Sequence, residues 1–221
     1  MPNAREMIGW LLLVMLAVVG AGAAVVGIVQ SPNSAPLPEA VKNTLAARSY
    51  SEVLTESIPQ GKQTDYLVWQ APDRLGGYIV HNGNKRTYVY VIGTAEYTSA
   101  AVGPGTSTNN LVFTKRAAPA GGAAVLDPAR GYLPYAGEAK NVQKSGDTYS
   151  FTLTQTSQQG TTQTGVFTYQ VSGQYVSEFN LTVNTESVQL VISQVGTSPP
   201  VALPSGARVV TLPIGSSGSA G

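Results

Sequence analysis

Residues 64–99 constrain the fold of this chain more than any other stretch, because their predicted strands are apolar on both faces. Successive side chains of a strand point to opposite faces of the sheet, so a strand with one wet face alternates apolar and polar residues. Residues 66–69 and 88–92 instead run without a polar break. Turn-forming residues divide the stretch at 72–73, 76–77 and 82–84. Such strands need cover on both faces, from other protein layers or from an apolar ligand.

The second half of the chain has a different pattern. Around residues 149–153, 167–171 and 179–183, apolar side chains alternate strictly with Ser, Thr, Gln or Asn. This alternation predicts antiparallel strands with one face toward the core and one toward water. Further strands are predicted at 49–58, 111–116, 188–193 and 207–212; the apolar alternation of 188–193 has one exception, Val191.

Two short segments carry helix signals. Leu37, Val41 and Leu45 recur at helical spacing and predict a short amphipathic helix. Asp127 followed by Pro128 fits an N-cap and the first position of a second short helix. The predicted class is therefore mainly β (α+β): an antiparallel sheet of about nine to eleven strands, wide enough to curl into a half-barrel. We expect the two helices on its concave face.

The N-terminal segment from residue 8 to 29 contains only apolar residues and glycine. Its length suffices to cross a hydrocarbon core of roughly 30 Å. Arg5 precedes it, so the positive-inside rule places residues 1–7 in the cytoplasm and the rest of the chain outside. We expect an uncleaved signal-anchor at the cell membrane. The alternative is secretion after signal cleavage near Ala23, where the sequence has a small-x-small pattern.

The remaining boundaries follow from composition. Residues 30–38 are rich in Pro and Ser and form a predicted linker. The β domain is expected over 39–213, and residues 214–221 form a predicted disordered tail, because they offer no core-forming side chain.

Composition excludes several kinds of chemistry. Charged residues make up 11% of the chain and the net charge is +1, so there is no basic footprint for nucleic acid. The absence of cysteine excludes disulfides, thiolate catalysis and a lipidated N-terminal cysteine. His81 is the only histidine, and no metalloprotease or serine-hydrolase motif occurs. We therefore expect no enzyme, no metal and no cofactor.

Several short motifs, taken in their order along the chain, resemble a known family. After the first predicted helix and strand come residues 71–74 (Ala-Pro-Asp-Arg), a Gly/Asn hairpin and residues 91–97 (Val-Ile-Gly-Thr-Ala-Glu-Tyr), with residues 126–128 (Leu-Asp-Pro) further on. This order resembles the LolA/LppX-like fold of bacterial envelope proteins, particularly the LppX/LprG branch. The resemblance implies a half-open β-barrel around an apolar cavity, in proteins that carry lipoproteins, lipids or lipoglycans across the envelope. That branch has a lipidated cysteine, which this chain lacks.

The predicted function is that of a membrane-anchored extracytoplasmic protein that binds a lipid or lipoconjugate in an apolar half-barrel cavity, for envelope lipid transport or assembly. The alternative is a protein-interaction or sensor domain of an envelope complex without lipid cargo. The predicted partners are thus the membrane, a lipid or lipoglycan, and envelope proteins. The candidate cavity-lining residues, for which ordinary sheet packing is the alternative, are Leu67, Trp69, Tyr78, Val80, Tyr88, Tyr90 and Ile92.

Two basic pairs stand at predicted turns. Lys85-Arg86 and Lys115-Arg116 are either solvated surface residues or contacts for anionic headgroups at a cavity rim.

Overall fold

The structure is a computed structural model that describes residues 35–81, 84–156 and 162–211. The predicted anchor at 8–29, most of the linker and the C-terminal tail lie outside these residues. No helix within the described ranges combines the length and the apolar character needed to span a membrane.

The described residues form one sheet of twelve strands. The strands are β1 (Ser49–Ile58), β2 (Gly61–Gln70), β3 (Arg74–His81), β4 (Lys85–Ile92), β5 (Ala95–Ser99), β6 (Val112–Ala117), β7 (Gln143–Ser145), β8 (Thr148–Thr156), β9 (Thr162–Ser172), β10 (Tyr175–Val183), β11 (Glu186–Ser193) and β12 (Arg208–Thr211). Their order across the sheet is β12-β6-β5-β4-β3-β2-β1-β11-β10-β9-β8-β7. Two antiparallel meanders are thus joined by the antiparallel pairing of β1 with β11. β12 lies parallel to β6 at one edge, and β7 forms the other.

This architecture confirms the predicted mainly β fold with an open, curled sheet. The strand that the sequence did not indicate is β7. It has three residues, two of them exposed, and therefore carries no apolar alternation that would reveal it.

Gly76 and Gly77 do not form a turn, as the sequence suggested, but lie inside β3. A Cβ atom on Gly76 would lie 2.4 Å from a ring carbon of Tyr90, and one on Gly77 would lie 1.9 Å from the Tyr66 carbonyl oxygen. The absence of a side chain at these two glycines therefore allows Tyr90 and the backbone of β2 to pack closely against β3. A glycine pair is ambiguous in sequence because turns and close backbone approaches both require it.

One face of the sheet carries a layer of short helical segments, which we call the helical cover. It consists of α1 (Leu37–Ala46), α2 (Pro128–Tyr132) and 3₁₀ segments at Gly122–Val125 and Leu133–Glu138. Both helices begin where the sequence predicted. The Asp127 carboxylate accepts a hydrogen bond from the Ala129 N–H, at 3.0 Å, and so caps α2.

The helical cover shares one hydrophobic core with the sheet. α1 contributes Leu37, Ala40 and Val41 to this core, and the 3₁₀ segment after α2 contributes Leu133. We call the sheet surface beneath these side chains the helix-covered face.

The opposite face of the first meander is covered by two connecting segments: residues 100–111, which include a 3₁₀ segment at Thr108–Asn110, and residues 194–207. Leu111 from the first segment packs with Tyr88 and Phe113 in a second buried cluster, against which Leu203 from the other segment lies. Backbone hydrogen bonds join Arg86 to residue 102, at 2.8 and 2.9 Å. Protein thus lies on both sides of the strands that the sequence shows to be apolar on both faces.

Candidate functional site

The register of the first meander distributes the seven predicted cavity residues over both faces of the sheet. Leu67 lies opposite Gly77 on β3, whereas its neighbour Tyr66 lies opposite Tyr78, which in turn lies opposite Tyr88 on β4. Leu67 and Trp69 therefore point into the helix-covered core, where both are buried. The other five lie on the opposite face: Tyr78, Val80, Tyr88, Tyr90 and Ile92. The seven do not line one common cavity, because side chains alternate along every strand.

The helix-covered face is richest in aromatic side chains on the second meander, which the sequence-based site did not include. Phe151, Phe167, Tyr169 and Phe179 come from β8, β9 and β10, and all are at most 4% exposed. The rings of Phe151 and Phe167 stack at 5.2 Å, and those of Tyr169 and Phe179 meet edge to face at 5.0 Å. Because these residues share one parity in alternating strands, the sequence does place them on a common face.

The helical cover contacts this aromatic surface directly. Tyr132 stacks on Phe179 at 5.4 Å, and Tyr135 lies 5.4 Å from Phe167. The Tyr169 hydroxyl donates to the carbonyl oxygen of Tyr132, at 3.3 Å. Sheet and cover therefore meet across a surface of ring contacts with few hydrogen bonds.

The first-meander half of the helix-covered face contains a buried polar junction among its apolar side chains. Glu52 and Asp127 are buried, the first on β1 and the second at the start of α2. The Tyr50 hydroxyl donates to Asp127, and the Ala129 N–H lies 3.2 Å from Glu52 Oε2. Burial, followed by the negative charge of Asp127, raises the pKa of Glu52 well above its ordinary value. Burial also raises the pKa of Asp127, against the opposing effects of Tyr50 and Arg130.

Arg130 completes this polar junction. Its Nε lies 3.1 Å from Asp127 Oδ2, and its Nη2 donates to the carbonyl oxygen of Leu45 on α1, at 2.9 Å. The guanidinium group also lies 4.4 Å from the centroid of the Trp69 ring. These contacts tie both helices of the cover to each other and to the sheet.

Two pairs of acidic residues, Glu52/Glu56 and Asp65/Asp73, lie close together in the sequence and are candidates for paired carboxylates. Glu52, Glu56 and Asp65 are buried beneath the cover, whereas Asp73 is exposed. The Tyr132 hydroxyl donates to Glu56 Oε1 at 3.0 Å. Across the described ranges, no three His, Cys, Asp or Glu side chains are grouped in a way that would hold a metal ion.

A pocket of about 330 Å³ opens on the face opposite the helical cover. The rings of Tyr66 and Tyr78 stack at 4.7 Å, and the Arg86 guanidinium lies 5.0 Å from the centroid of the Tyr78 ring. Tyr66 is 39% exposed, so its ring is accessible from the solvent. The pocket is lined by Lys62, Thr64, Tyr66, Tyr78, Val80, Asn84, Arg86 and Pro104. Tyr78 and Val80 belong to the predicted set, whereas the remaining lining residues do not.

No protein-family model matches the chain, and no curated protein matches its sequence. Among solved structures, LprF from Mycobacterium bovis is 15% identical, over 79% of this chain and 99% of that one, with a TM-score of 0.48. The lipoprotein LppX from Mycobacterium tuberculosis is 12% identical, over 76% of this chain and 96% of that one, with a TM-score of 0.44. Both similarities concern the fold alone and agree with the LppX/LprG resemblance noted from the sequence.

Proposed function

We propose that this chain is an extracytoplasmic binding protein that holds a lipid or lipoconjugate between the sheet and the helical cover. Binding would occur by burial of acyl chains, without covalent chemistry. The observation that supports this most is the ring-lined surface between the second meander and the cover, built from Phe151, Phe167 and Phe179 on one side and from Tyr132 and Tyr135 on the other.

The way in which the helical cover is attached favours its displacement from the sheet. Strands are joined by continuous ladders, whereas the cover is held by apolar packing in the shared core and by individual hydrogen bonds such as Tyr50–Asp127 and Tyr132–Glu56. A typical intramolecular hydrogen bond contributes only about 1 kcal/mol net. An acyl chain gains about 0.8 kcal/mol per buried CH₂, so a dozen methylenes would supply roughly 10 kcal/mol. Aromatic side chains occupy the space between the layers, so entry of a lipid requires displacement of the cover.

The site of action that we propose is the outer face of the cell membrane. The apolar run at 8–29 and the preceding Arg5 support a single anchor with the β domain outside. A tethered protein would pass lipid along an envelope complex, as part of lipid transport or assembly. Secretion after cleavage near Ala23 is the alternative, and it would allow free shuttling.

A second candidate function is supported by the free edge of β12. Val209 and Val210 are 44% and 47% exposed, and within the part of the chain that the structure describes β12 pairs with β6 on one side only. An exposed apolar edge strand is a template for pairing with a strand of another protein. The chain would then serve as an interaction domain of an envelope complex.

Native mass spectrometry of the full-length protein, purified in a mild non-ionic detergent and followed by organic extraction, tests the first proposal. We expect a bound species whose extracted mass is that of a lipid, at up to one molecule per chain. A protein free of lipid after purification from its own membrane, which also takes up none when lipid is added, would leave the interaction function as the better account.

A further inference from the structure

The pocket on the face opposite the helical cover lies beside the first of the two covering segments. Residues 100–111 and 194–207 bury Tyr88, Leu111 and Phe113 but leave the Tyr66 ring accessible. Pro104 from the first segment forms one wall. The pocket is thus separated by the sheet itself from the proposed lipid site, and an inference about it stands independently of that function.

The charged side chains that line the pocket are all positive. Lys62 and Arg86 line it, and no aspartate or glutamate does. Arg86 has no carboxylate partner among the described residues. Its guanidinium lies over the Tyr78 ring instead, and its backbone is fixed by the two hydrogen bonds to residue 102. The structure therefore holds the Arg86 guanidinium in place without a carboxylate from the described part of the chain.

The other lining groups suit a small polar molecule. Thr64 and Asn84 bring hydrogen-bonding side chains, while the stacked rings of Tyr66 and Tyr78 form an apolar wall. The volume of about 330 Å³ is at the lower end of the range typical of small-molecule sites. Guanidinium groups bind phosphate through paired, charge-assisted hydrogen bonds, and ring faces pack against the carbon skeleton of polyols.

We propose that this pocket binds an organic phosphate, with the phosphate at the Arg86 guanidinium and the attached glycerol or sugar against Tyr66 and Tyr78. A free phosphate ester and the headgroup of a phospholipid present the same chemistry. Lys62 adds positive charge at the rim.

Isothermal titration calorimetry of the full chain in a neutral detergent tests the proposal. One titration uses glycerol 3-phosphate and the other dihexanoyl phosphatidylglycerol. Arg86→Gln removes the charge from the pocket, and Lys115→Gln is the matched control, because the Lys115 ammonium also lies near a ring, 5.9 Å from the centroid of Tyr97, but outside the pocket. We expect saturable binding that Arg86→Gln weakens about tenfold or more and that Lys115→Gln leaves unchanged.

Asn84→Asp gives a second variant in case Arg86→Gln fails to fold, because Asn84 is exposed and its replacement places a carboxylate in the pocket. It should weaken binding of either phosphate by repulsion. Binding of both compounds, or of one of them alone, supports the pocket. Binding of one alone also shows whether the phosphate comes from a free ester or from a phospholipid headgroup. Absence of saturable binding to both, or equal effects of Arg86→Gln and Lys115→Gln, overturns the proposal.

Discussion

Replacement of Thr44 by valine would test how the helical cover is attached to the sheet. Thr44 lies in the last turns of α1 and is fully buried. Its hydroxyl donates to the Ala40 carbonyl oxygen at 2.8 Å and accepts from the Val176 N–H at 2.9 Å. The register of β9 and β10 shifts between Val176 and Glu178, so this amide points to the helix at an irregularity of the sheet.

The size of the effect follows from the group left without a partner. Valine has nearly the same shape as threonine, so Thr44→Val changes packing little but removes the acceptor of the buried Val176 N–H. An unsatisfied buried donor costs about 1–3 kcal/mol. Thr44→Ser is the matched control. It keeps the hydroxyl and loses one buried methyl group, which costs about 0.8 kcal/mol.

The assay is urea unfolding of the full chain followed by circular dichroism, combined with hydrogen exchange read by mass spectrometry. Thr44→Val should lower the free energy of unfolding by about 2 kcal/mol and speed exchange in Leu37–Ala46 and at the start of β10. If Thr44→Val is as stable as the original protein, or more stable than Thr44→Ser, the hydroxyl does not attach the cover in the way described.

Two further predictions concern buried charge and close packing. Because the pKa of Glu52 is raised in the fold, the protonated carboxyl favours the folded state, and stability should fall as the pH rises from the ordinary value of 4.5 through the raised pKa. In Glu52→Gln, the urea midpoint should decline less steeply between pH 5 and pH 8, but the decline should not disappear because Asp127 still titrates. An unchanged slope would contradict this prediction. Gly77→Ala should destabilise the protein by at least about 2 kcal/mol, since its Cβ would clash with the Tyr66 carbonyl. The control Gly131→Ala, in α2 with nothing within 4 Å of its added Cβ, should cost nothing in thermal melts, and equal effects would refute the packing argument.

The features that the sequence predicts well are local. Asp127 and Pro128 fix the start of α2 through a cap that spans three residues, and strict alternation in residues 149–183 marks β8, β9 and β10 without knowledge of their partners. The class of fold follows from these patterns, since each depends on backbone geometry alone.

The features that the sequence does not predict depend on distant pairing. Parity places Leu67 and Trp69 on one face, but only the register with β3 and β4 shows that Tyr78 and Tyr88 lie on the other. The junction of Glu52 with Ala129 joins residues 77 positions apart and has no local signal. Residues 100–111 likewise contain no periodic pattern that would indicate which face they cover.

The central claim is that lipid enters between the sheet and the helical cover, and a reversible lock of α1 tests it directly. The chain has no cysteine, and the Asn43 side-chain amide donates to the carbonyl oxygen of Gln174 at 3.2 Å. Asn43→Cys/Gln174→Cys therefore introduces a single pair of cysteines that is intended to link α1 to the turn between β9 and β10, and loss of the two free thiols on oxidation verifies the disulfide. The full-length double variant would be incubated with a phospholipid that carries a photoreactive diazirine on its acyl chain, and the labelled peptides identified by mass spectrometry. We predict that the reduced protein is labelled on β8, β9, β10 and the cover, and that oxidation abolishes this labelling. Equal labelling of both forms, or labelling confined to residues 8–29, would contradict the account.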